Sequence, residues 1–460
     1  MAKSIASKQK GTSHMALRTS LLRQLENPDL NRNSRALLRC QLARELENRG
    51  DYEEAREVMG ELWQRVDERP NVEKLEPATA AEVLMRAGVL TGHLADRYQI
   101  ENAQERAKNL LSEASNIFES LDNRHKILEA QTEISVCYWR DGSYDEARII
   151  LKEVIAHLKT DDELKAKAVL RSAIVERAAT QYKEAFCILT QASALFDKIS
   201  NHTLRGSYHN ELAIVLRNLG TRENRGDYID RAFMEYTAAG FHFEEAHHKC
   251  YSANVENNLG FLHFKAGRYK EAHRHLDRAR HLLVRLKDKG TLAQIDDTRA
   301  RVFLAQGNYK EAERVARTAV YALEKGGRQS LLAEALTTHG AALAHLGYYE
   351  QARRVFQRAI ELAQIMGAPC VEAEAELRKV DEKLVEQQGQ PSGSELSEEM
   401  HRYEAKLIKQ ALIRGKLKVW RVITAQRTRR GAEGLSFPTS RQSQSQSPRP
   451  MMELFAISKS

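Results

Sequence analysis

Proline and glycine are scarce in this sequence, which has only 8 Pro and 24 Gly among 460 residues. The helix-favouring residues Ala, Leu, Glu and Arg are plentiful. No Val- and Ile-rich alternating run of the kind that forms a half-buried strand is present. The shortage of helix breakers and the missing strand pattern therefore predict an all-α fold.

Long apolar runs are also missing. None approaches the roughly 18 residues that would span a bilayer. The N-terminus, MAKSIASKQKGTSHM, has charges but no apolar stretch after them, so we expect no secretory signal and a cytoplasmic protein without membrane contact. The five cysteines form no CxxC pair, which favours free buried thiols over a disulfide framework or a zinc site. They are Cys40, Cys137, Cys187, Cys250 and Cys370.

Motifs that carry chemistry are absent too. The sequence has neither the phosphate-binding pattern GxxxxGK[ST] nor GxSxG. Its segment HFEEAHH differs from the zinc motif HExxH, because the Glu is misplaced and His242 and His247 are five residues apart rather than four. We therefore expect an interaction protein rather than an enzyme, with no cofactor and no metal. The histidines of this region are taken as surface residues: His242, His247, His248, His263, His273, His275 and His281.

A short pattern, Gly-x-Tyr followed by acidic residues and Ala, recurs along the chain. From Tyr144 onward its tyrosines are 38, 46, 41, 40 and 40 residues apart, and the larger gap after Tyr52 leaves room for one degenerate unit near Tyr98, with Ala107 and Ala114. Eight units of about forty residues predict a solenoid of stacked helical hairpins. The pattern tyrosines are Tyr52, Tyr144, Tyr182, Tyr228, Tyr269, Tyr309 and Tyr349.

One unit shows the physical logic of the repeat. Gly267 is placed to end the first helix, where a positive φ is cheap only for glycine. Ala272, Leu276 and Ala279 share one face of the second helix, and the two alanines keep the helices close. Gly260 in the first helix lets the next helix approach. A single hairpin cannot bury its apolar face, whereas stacked hairpins can.

These residues resemble the tetratricopeptide repeat, over roughly residues 31–385. The run NNLGFLHFKAGRYKEAHRHLDRA carries the resemblance most specifically. The forty-residue spacing is similar to that of the longer repeats in kinesin light chains and in bacterial regulators of the MalT type. The resemblance implies a superhelix whose inner groove, lined by the first helix of each unit, binds a peptide or a partner protein.

Groove residues are predicted by position relative to the pattern tyrosines. Twelve residues before Tyr269 lies Asn257, and Asn210 is its equivalent one unit earlier; the same count gives Asp297 and Thr337 in the later units. Asparagine can both donate to and accept from an extended peptide backbone. The alternative is that each is an ordinary solvated residue. The predicted groove residues are Asn210, Arg217, Asn257, Arg301 and Trp139.

The C-terminal part has a different composition. Residues 1–30 form an N-terminal extension, 31–385 the repeats, and 386–394 a linker rich in Gln, Gly, Pro and Ser. Residues 395–415 have apolar residues at helical spacing and predict an amphipathic helix. Residues 416–460 are basic and rich in Ser and Gln, which is typical of disorder. Residues 386–460 contain 13 Lys and Arg against 7 Glu, a net charge of +6 out of the +8 of the chain.

Residues 403–412, YEAKLIKQAL, resemble the first helix of the Fis-type helix-turn-helix of bacterial regulators. After Arg414 the resemblance stops, and no recognition helix can be assigned. Either the segment still contacts DNA phosphates, or a frameshift near Arg414 has removed the motif and the helix covers the last repeat instead. The candidate DNA contacts are Lys406, Lys409, Arg414, Lys416, Lys418, Arg421, Arg427, Arg429 and Arg430.

Two functions remain open on these grounds. The first is a bacterial regulator whose repeats bind a peptide or protein and whose C-terminal segment derives from a DNA-binding domain. The second is a scaffold that assembles partners in the groove without DNA contact. The oligomeric state is left open.

Overall fold

Successive antiparallel helices make up the computed structural model of the chain, which describes residues 19–98, 100–286, 289–325, 329–366, 370–387, 400–407 and 409. No strand occurs in these ranges, so the predicted all-α fold is confirmed. None of the helices described here is long and apolar enough to cross a membrane. The described residues divide into two compact units at Leu384 and Val385.

Eight hairpins and a final helix follow one another in the described part of the first unit. Each hairpin pairs a first and a second helix, and the second helix of the fourth hairpin is broken into two pieces. The helices are α1 Arg32–Glu47, α2 Tyr52–Met59 (continued by a 3-10 turn, Gly60–Leu62), α3 Pro77–Tyr98, α4 Ala103–Ser120, α5 Arg124–Arg140, α6 Tyr144–His157, α7 Glu163–Ala178, α8 Tyr182–Gln191, α9 Ser193–Lys198, α10 His202–Glu223, α11 Gly226–Glu245, α12 Lys249–Lys265, α13 Tyr269–Leu286, α14 Lys289–Ala305, α15 Tyr309–Glu324, α16 Gln329–His345, α17 Tyr349–Ile365 and α18 Val371–Gln387.

The repeat pattern acts as the sequence predicts. Gly267 has φ +70° between α12 and α13, and a Cβ on Gly260 would lie 2.7 Å from Cγ of Leu276. Ala272, Leu276 and Ala279 are fully buried on one face of α13. The same left-handed turn occurs at Thr180, with φ 62°, and at Asn224, with φ 53°, whereas five hairpins place glycine there: Gly50, Gly142, Gly267, Gly307 and Gly347.

The second hairpin, α3 and α4, begins its second helix later than the repeat pattern predicts. Tyr98 is the last residue of α3, and the second helix of this hairpin starts five residues later, at Ala103. The turn between them uses Asn102, with φ 54°, in place of the usual glycine. Ala107 and Ala114 are fully buried as predicted, so the unit is present although its tyrosine does not open the helix.

Helix α18 covers the last hairpin. Its Ala373, Val380 and Leu384 are buried in the same apolar cluster as Phe356 of α17. Arg353 also pairs with Asp381 at 3.0 Å. Because an end repeat needs a polar outer face, this final helix closes the apolar stack.

The cysteines divide between the interior and the surface. Cys40 and Cys137 are buried and free, as expected, and burial raises the pKa of each thiol to about 12. The expectation of burial is wrong for Cys187, which is exposed because it lies on the opposite side of α8 from the buried Ala185 and Leu189. Cys250 and Cys370 are only partly buried.

Candidate peptide-binding cavity

First helices and second helices bury their residues differently. Helix α13 buries a single stripe, Ala272, Leu276, Ala279 and Leu283. First helices contact both their own partner and the next hairpin, so they bury residues around more of their circumference. The remaining face of each first helix points to the inside of the superhelix, where polar and charged residues collect.

A cavity of about 730 Å³ lies on this inner side. It is lined by the first helices of six consecutive hairpins, α1, α3, α5, α7, α10 and α12. Most of the lining residues are polar or charged, and they come from parts of the chain that are distant in sequence. Examples from four of these helices are His93, Lys167, Asn210 and Asn254.

The cavity is closed by contacts of the first hairpin with the fifth and the sixth hairpins. Thr203 Oγ1 donates a hydrogen bond to the carbonyl oxygen of Asn48, at 2.8 Å. Gly50, with φ +75°, lies so close to the ring of His248 that a Cβ would be 2.4 Å from Cε1. Tyr52 lines the cavity at the same place. Its pKa is raised well above the usual value by burial and then by the neighbouring Tyr251.

Ion pairs hold the first three hairpins together at the cavity wall. Arg86 of α3 pairs with Glu47 of α1, and its other nitrogen lies 3.6 Å from Glu129 of α5. Two further cations contact Glu129: Arg44 lies 2.7 Å from it, and Lys126 lies 3.1 Å from it. Burial acts to raise the pKa of Glu129, but the charges of Arg44, Arg86 and Lys126 outweigh it and lower the pKa. These charges would be costly to bury alone and are stable here because they are paired.

Similar pairs join the next hairpins. Lys167 of α7 lies 3.2 Å from Glu133 of α5, and Arg177 of α7 pairs with Glu211 of α10. Burial alone would raise the pKa of Glu133. The charges of Lys167, Arg171 and Arg86 lower it instead, to about 2. The inner face is therefore a chain of cross-helix ion pairs around the cavity.

Two of the predicted groove residues, Asn210 and Trp139, line this cavity. Asn210 Oδ1 also accepts a hydrogen bond of 3.4 Å from Asn258. Asn257 does not line it, because the cavity reaches only the N-terminal half of α12, as far as Asn254. The Oδ1 atom of Asn257 is buried without a hydrogen-bond partner in the structure.

The other predicted groove residues make local contacts outside the cavity. Arg217 lies over the ring of Phe261, at 5.6 Å from its centre. Arg301 pairs with Asp297 at 2.9 Å and approaches Glu334 at 3.6 Å. Thr337 donates to the carbonyl of Ala333 at 2.9 Å. A role of these residues in binding stays a prediction.

Sequence reasoning missed several lining residues, including His93, Lys167, Arg171 and Asn254. The count from the pattern tyrosines selects one position per helix, whereas the cavity takes two or three turns of some helices. These residues could have been identified as polar or charged residues that recur on the first helices of neighbouring hairpins.

Of the candidate DNA contacts, only Lys406 and Lys409 lie within the described residues. Residues 400–407 and 409 are helical, and both lysines are exposed. Arg414, Lys416, Lys418, Arg421, Arg427, Arg429 and Arg430 lie outside the described residues.

The histidine-rich region extends from His242 to His281. Within the described ranges, no three residues among His, Cys, Asp and Glu are grouped so that they could hold a metal ion. His202 and His242 have their Nδ1 atoms 3.0 Å apart. Burial, then nearby positive charges, lowers the pKa of His242 to about 4. The expectation of a surface position is wrong for His242 and His248, which are both buried. His242 closes the end of α11 against α10, and His248 caps the start of α12.

Three segments of the sequence match family models described as tetratricopeptide repeats, residues 36–61, 251–325 and 333–365. The chain contains tetratricopeptide repeats. No curated protein matches the sequence. The repeats flank the cavity, since the first match covers α1 and α2 and the second begins at Tyr251 of α12.

One of the similar solved structures shares the arrangement of helices. A Rap protein complexed with competence and sporulation factor has a TM-score of 0.55 at 12% identity, and the match covers 80% of this chain and 96% of that one. Aspartyl phosphate phosphatase F from Bacillus subtilis has a TM-score of 0.49 at 12% identity, covering 78% and 92%. The quorum sensor NprR from B. thuringiensis has 0.48 at 12%, covering 77% and 97%. The first of these similarities establishes a shared fold and nothing further.

Proposed function

We propose that the cavity binds a short extended peptide segment of a partner, and that the chain is a regulator controlled by this binding. Tetratricopeptide repeats serve as protein-interaction modules, which supports a peptide or protein as the ligand. The Rap protein that shares the fold was crystallised with a competence and sporulation factor. The cavity volume of about 730 Å³ is in the usual range for ligand sites.

One observation carries the proposal more than the others. The amide side chains of Asn210 and Asn254 line the same cavity from consecutive first helices, α10 and α12. Each amide offers two donor hydrogens and an acceptor oxygen. Two such groups at neighbouring positions suit the alternating N–H and C=O groups of an extended chain. An apolar cavity would lack this match.

The test is selection of a random dodecapeptide library on the full-length protein, followed by fluorescence anisotropy with an enriched peptide. We expect the double variant Asn210→Ala, Asn254→Ala to bind about tenfold more weakly, because two hydrogen bonds are lost. Asn116→Ala is the matched control, since Asn116 is exposed on the second helix α4. Equal loss in both variants, or none in either, would remove the proposed site.

The regulatory part of the proposal includes DNA contact by residues 386–460. The exposed Lys406 and Lys409 on a helical segment, together with the net charge of +6, support non-specific attraction to phosphates. The alternative is a scaffold that uses the same cavity and does not contact DNA. Binding of a peptide is expected in both cases, so only a DNA-binding assay separates them.

A further inference from the structure

Positive charge is in excess at one level of the cavity, where helices α3, α5 and α7 meet. Lys167 and Arg171 of α7 line the cavity there together with Glu133. Arg140 of α5 lies behind His93. Three cations therefore face one carboxylate, and that carboxylate already pairs with Lys167 at 3.2 Å.

The two arginines have no carboxylate of their own. Among the described residues, neither Arg140 nor Arg171 forms an ion pair, and Nε of Arg171 is buried without a hydrogen-bond partner. Burial, followed by the charge of Arg171, lowers the pKa of Arg140. Two guanidinium groups within electrostatic reach of each other are unfavourable unless an anion lies near them.

His93 adds a directed donor to this group. Arg140 Nη2 lies 3.2 Å from His93 Nδ1, and because a guanidinium only donates, Nδ1 must accept. The ring hydrogen of the neutral imidazole is then on Nε2. Stacking on Tyr52, with ring centres 4.3 Å apart, fixes the plane of the ring. A neutral ring is expected, since burial and then Arg140 and Arg171 lower the pKa of His93.

The other carboxylates of the lining do not pair with these two arginines. Glu47, Glu129 and Glu211 form ion pairs with Arg86, Arg44 and Arg177. Asp162 and Glu163 accept hydrogen bonds from the N–H of Lys165 and the amide of Asn201, but they lie at the start of α7, about 12 Å or more along the helix axis from Arg171.

We infer that this level of the cavity holds a carboxylate of the bound peptide, between Arg171 and the Nε2–H of His93. The inference rests on the proposed function and names a chemical requirement of the ligand. Arg171 can meet a carboxylate with two parallel N–H donors, which is the strongest geometry for such a pair. The carboxylate comes either from an Asp or Glu side chain or from the C-terminus of the peptide.

The experiment selects random dodecapeptides on three immobilised full-length proteins: wild type, Arg171→Gln and Arg274→Gln. Arg274 is the matched control, because it is exposed on the second helix α13. One library presents a free C-terminus, and in the other the random segment is followed by an invariant Gly-Ser linker. We expect Asp and Glu, or the free C-terminus, to be enriched on wild type and Arg274→Gln and not on Arg171→Gln.

The outcomes are distinguishable. No enriched peptide on any protein overturns the proposed function and this inference together. Peptides enriched equally on all three proteins, without an acidic residue or a free C-terminus, leave the proposed function standing and overturn the inference. Enrichment only from the free-terminus library assigns the carboxylate to the C-terminus, and enrichment of Asp or Glu from both libraries assigns it to a side chain.

A binding cycle completes the test. Replacing the selected acid by its amide, or amidating the terminus, should weaken binding to wild type about tenfold or more. The same change should have no effect on Arg171→Gln, because the two changes remove one shared interaction. The thermal midpoint of Arg171→Gln should fall only slightly, since the arginine forms no ion pair and Glu133 keeps its pair with Lys167. A change in the peptide that weakens binding equally in both proteins contradicts the inference.

Discussion

Replacing Gly50 by alanine should open the contact of the first hairpin with the fifth and the sixth hairpins. Gly50 has φ +75°, and its new Cβ would meet the His248 ring at 2.4, 2.8 and 3.1 Å. The ring cannot easily move, because its Nδ1 accepts the N–H of Tyr251 at 3.2 Å and its face stacks on the Tyr251 ring at 3.8 Å. The hairpin turn is therefore the part that shifts.

The size of the effect follows from the two possible movements. Displacing the ring would cost an N-cap hydrogen bond, about 1 kcal/mol, and a stacked pair, about 1 kcal/mol. Opening the contact costs the hydrogen bond from Thr203 to Asn48, about 1 kcal/mol. Opening is the cheaper response. The clash therefore destabilises the closed contact by an amount between the cost of opening and the cost of displacing the ring, about 1–2 kcal/mol. Because this is a factor of about 5–30 in the population of the open contact, amide exchange there should accelerate by roughly that factor.

The matched control is Gly267→Ala. Gly267 has φ +70°, nearly that of Gly50, but nothing lies within 4 Å of its Cβ position. Both substitutions introduce the strain of a left-handed alanine, about 1–2 kcal/mol. Hydrogen exchange read by mass spectrometry should therefore accelerate in segments 46–54 and 246–252 for Gly50→Ala, and only around 262–270 for Gly267→Ala. Equal acceleration of segment 246–252 in both variants would refute the reasoning.

Three further predictions concern acid stability, the last hairpin and the basic segment. Burial lowers the pKa of His248 from 6.5 to about 4. As the pH falls from 6.5 to 4, the unfolded chain therefore binds this proton before the folded chain does, and the free energy of unfolding falls by up to about 3 kcal/mol. His248→Asn keeps the N-cap and should lose less stability between pH 7 and pH 4.5 in urea unfolding. An unchanged loss would contradict the assignment to His248. Phe356→Ala removes a fully buried ring and should lower the free energy of unfolding by about 3–5 kcal/mol. Because repeats couple only to their neighbours, hydrogen exchange should accelerate in α16–α18 and not in α1–α4. Acceleration in both places would count against this local coupling. The double variant Lys406→Glu, Lys409→Glu should weaken a salt-sensitive DNA gel shift of the full chain. Lys270→Glu is the control, because Lys270 is exposed on α13, and it should leave the shift unchanged. The absence of any shift with wild type would favour a scaffold that does not contact DNA.

The repeated hairpin could be predicted from the sequence because its determinants are local. A glycine at the turn, a tyrosine at the helix start and small residues on one face recur at a fixed period, and each acts within a single unit. The boundary near Tyr98 was missed because Asn102 supplies the left-handed turn there in place of glycine. Any residue that tolerates a positive φ can substitute for the signal that the pattern relies on.

The closed cavity could not be predicted in the same way. The contact of Asn48 with Thr203 joins residues 155 positions apart, and it depends on small rotations summed over five hairpins. The ion-pair partners of the cavity arginines could not be predicted for a related reason. Arg171 and Arg177 are similar residues on one helix, yet only Arg177 meets a carboxylate, Glu211, and that partner comes from another helix.

Photo-crosslinking tests the central claim most directly. A peptide selected on the full-length protein is resynthesised with a benzophenone side chain, irradiated in the complex, and its attachment sites are read by mass spectrometry. Binding in the cavity predicts adducts on the first helices α5, α7, α10 and α12, near Trp139, Asn210 and Asn254, and their loss with excess unlabelled peptide. Adducts confined to the second helices or to residues 386–460 would contradict it.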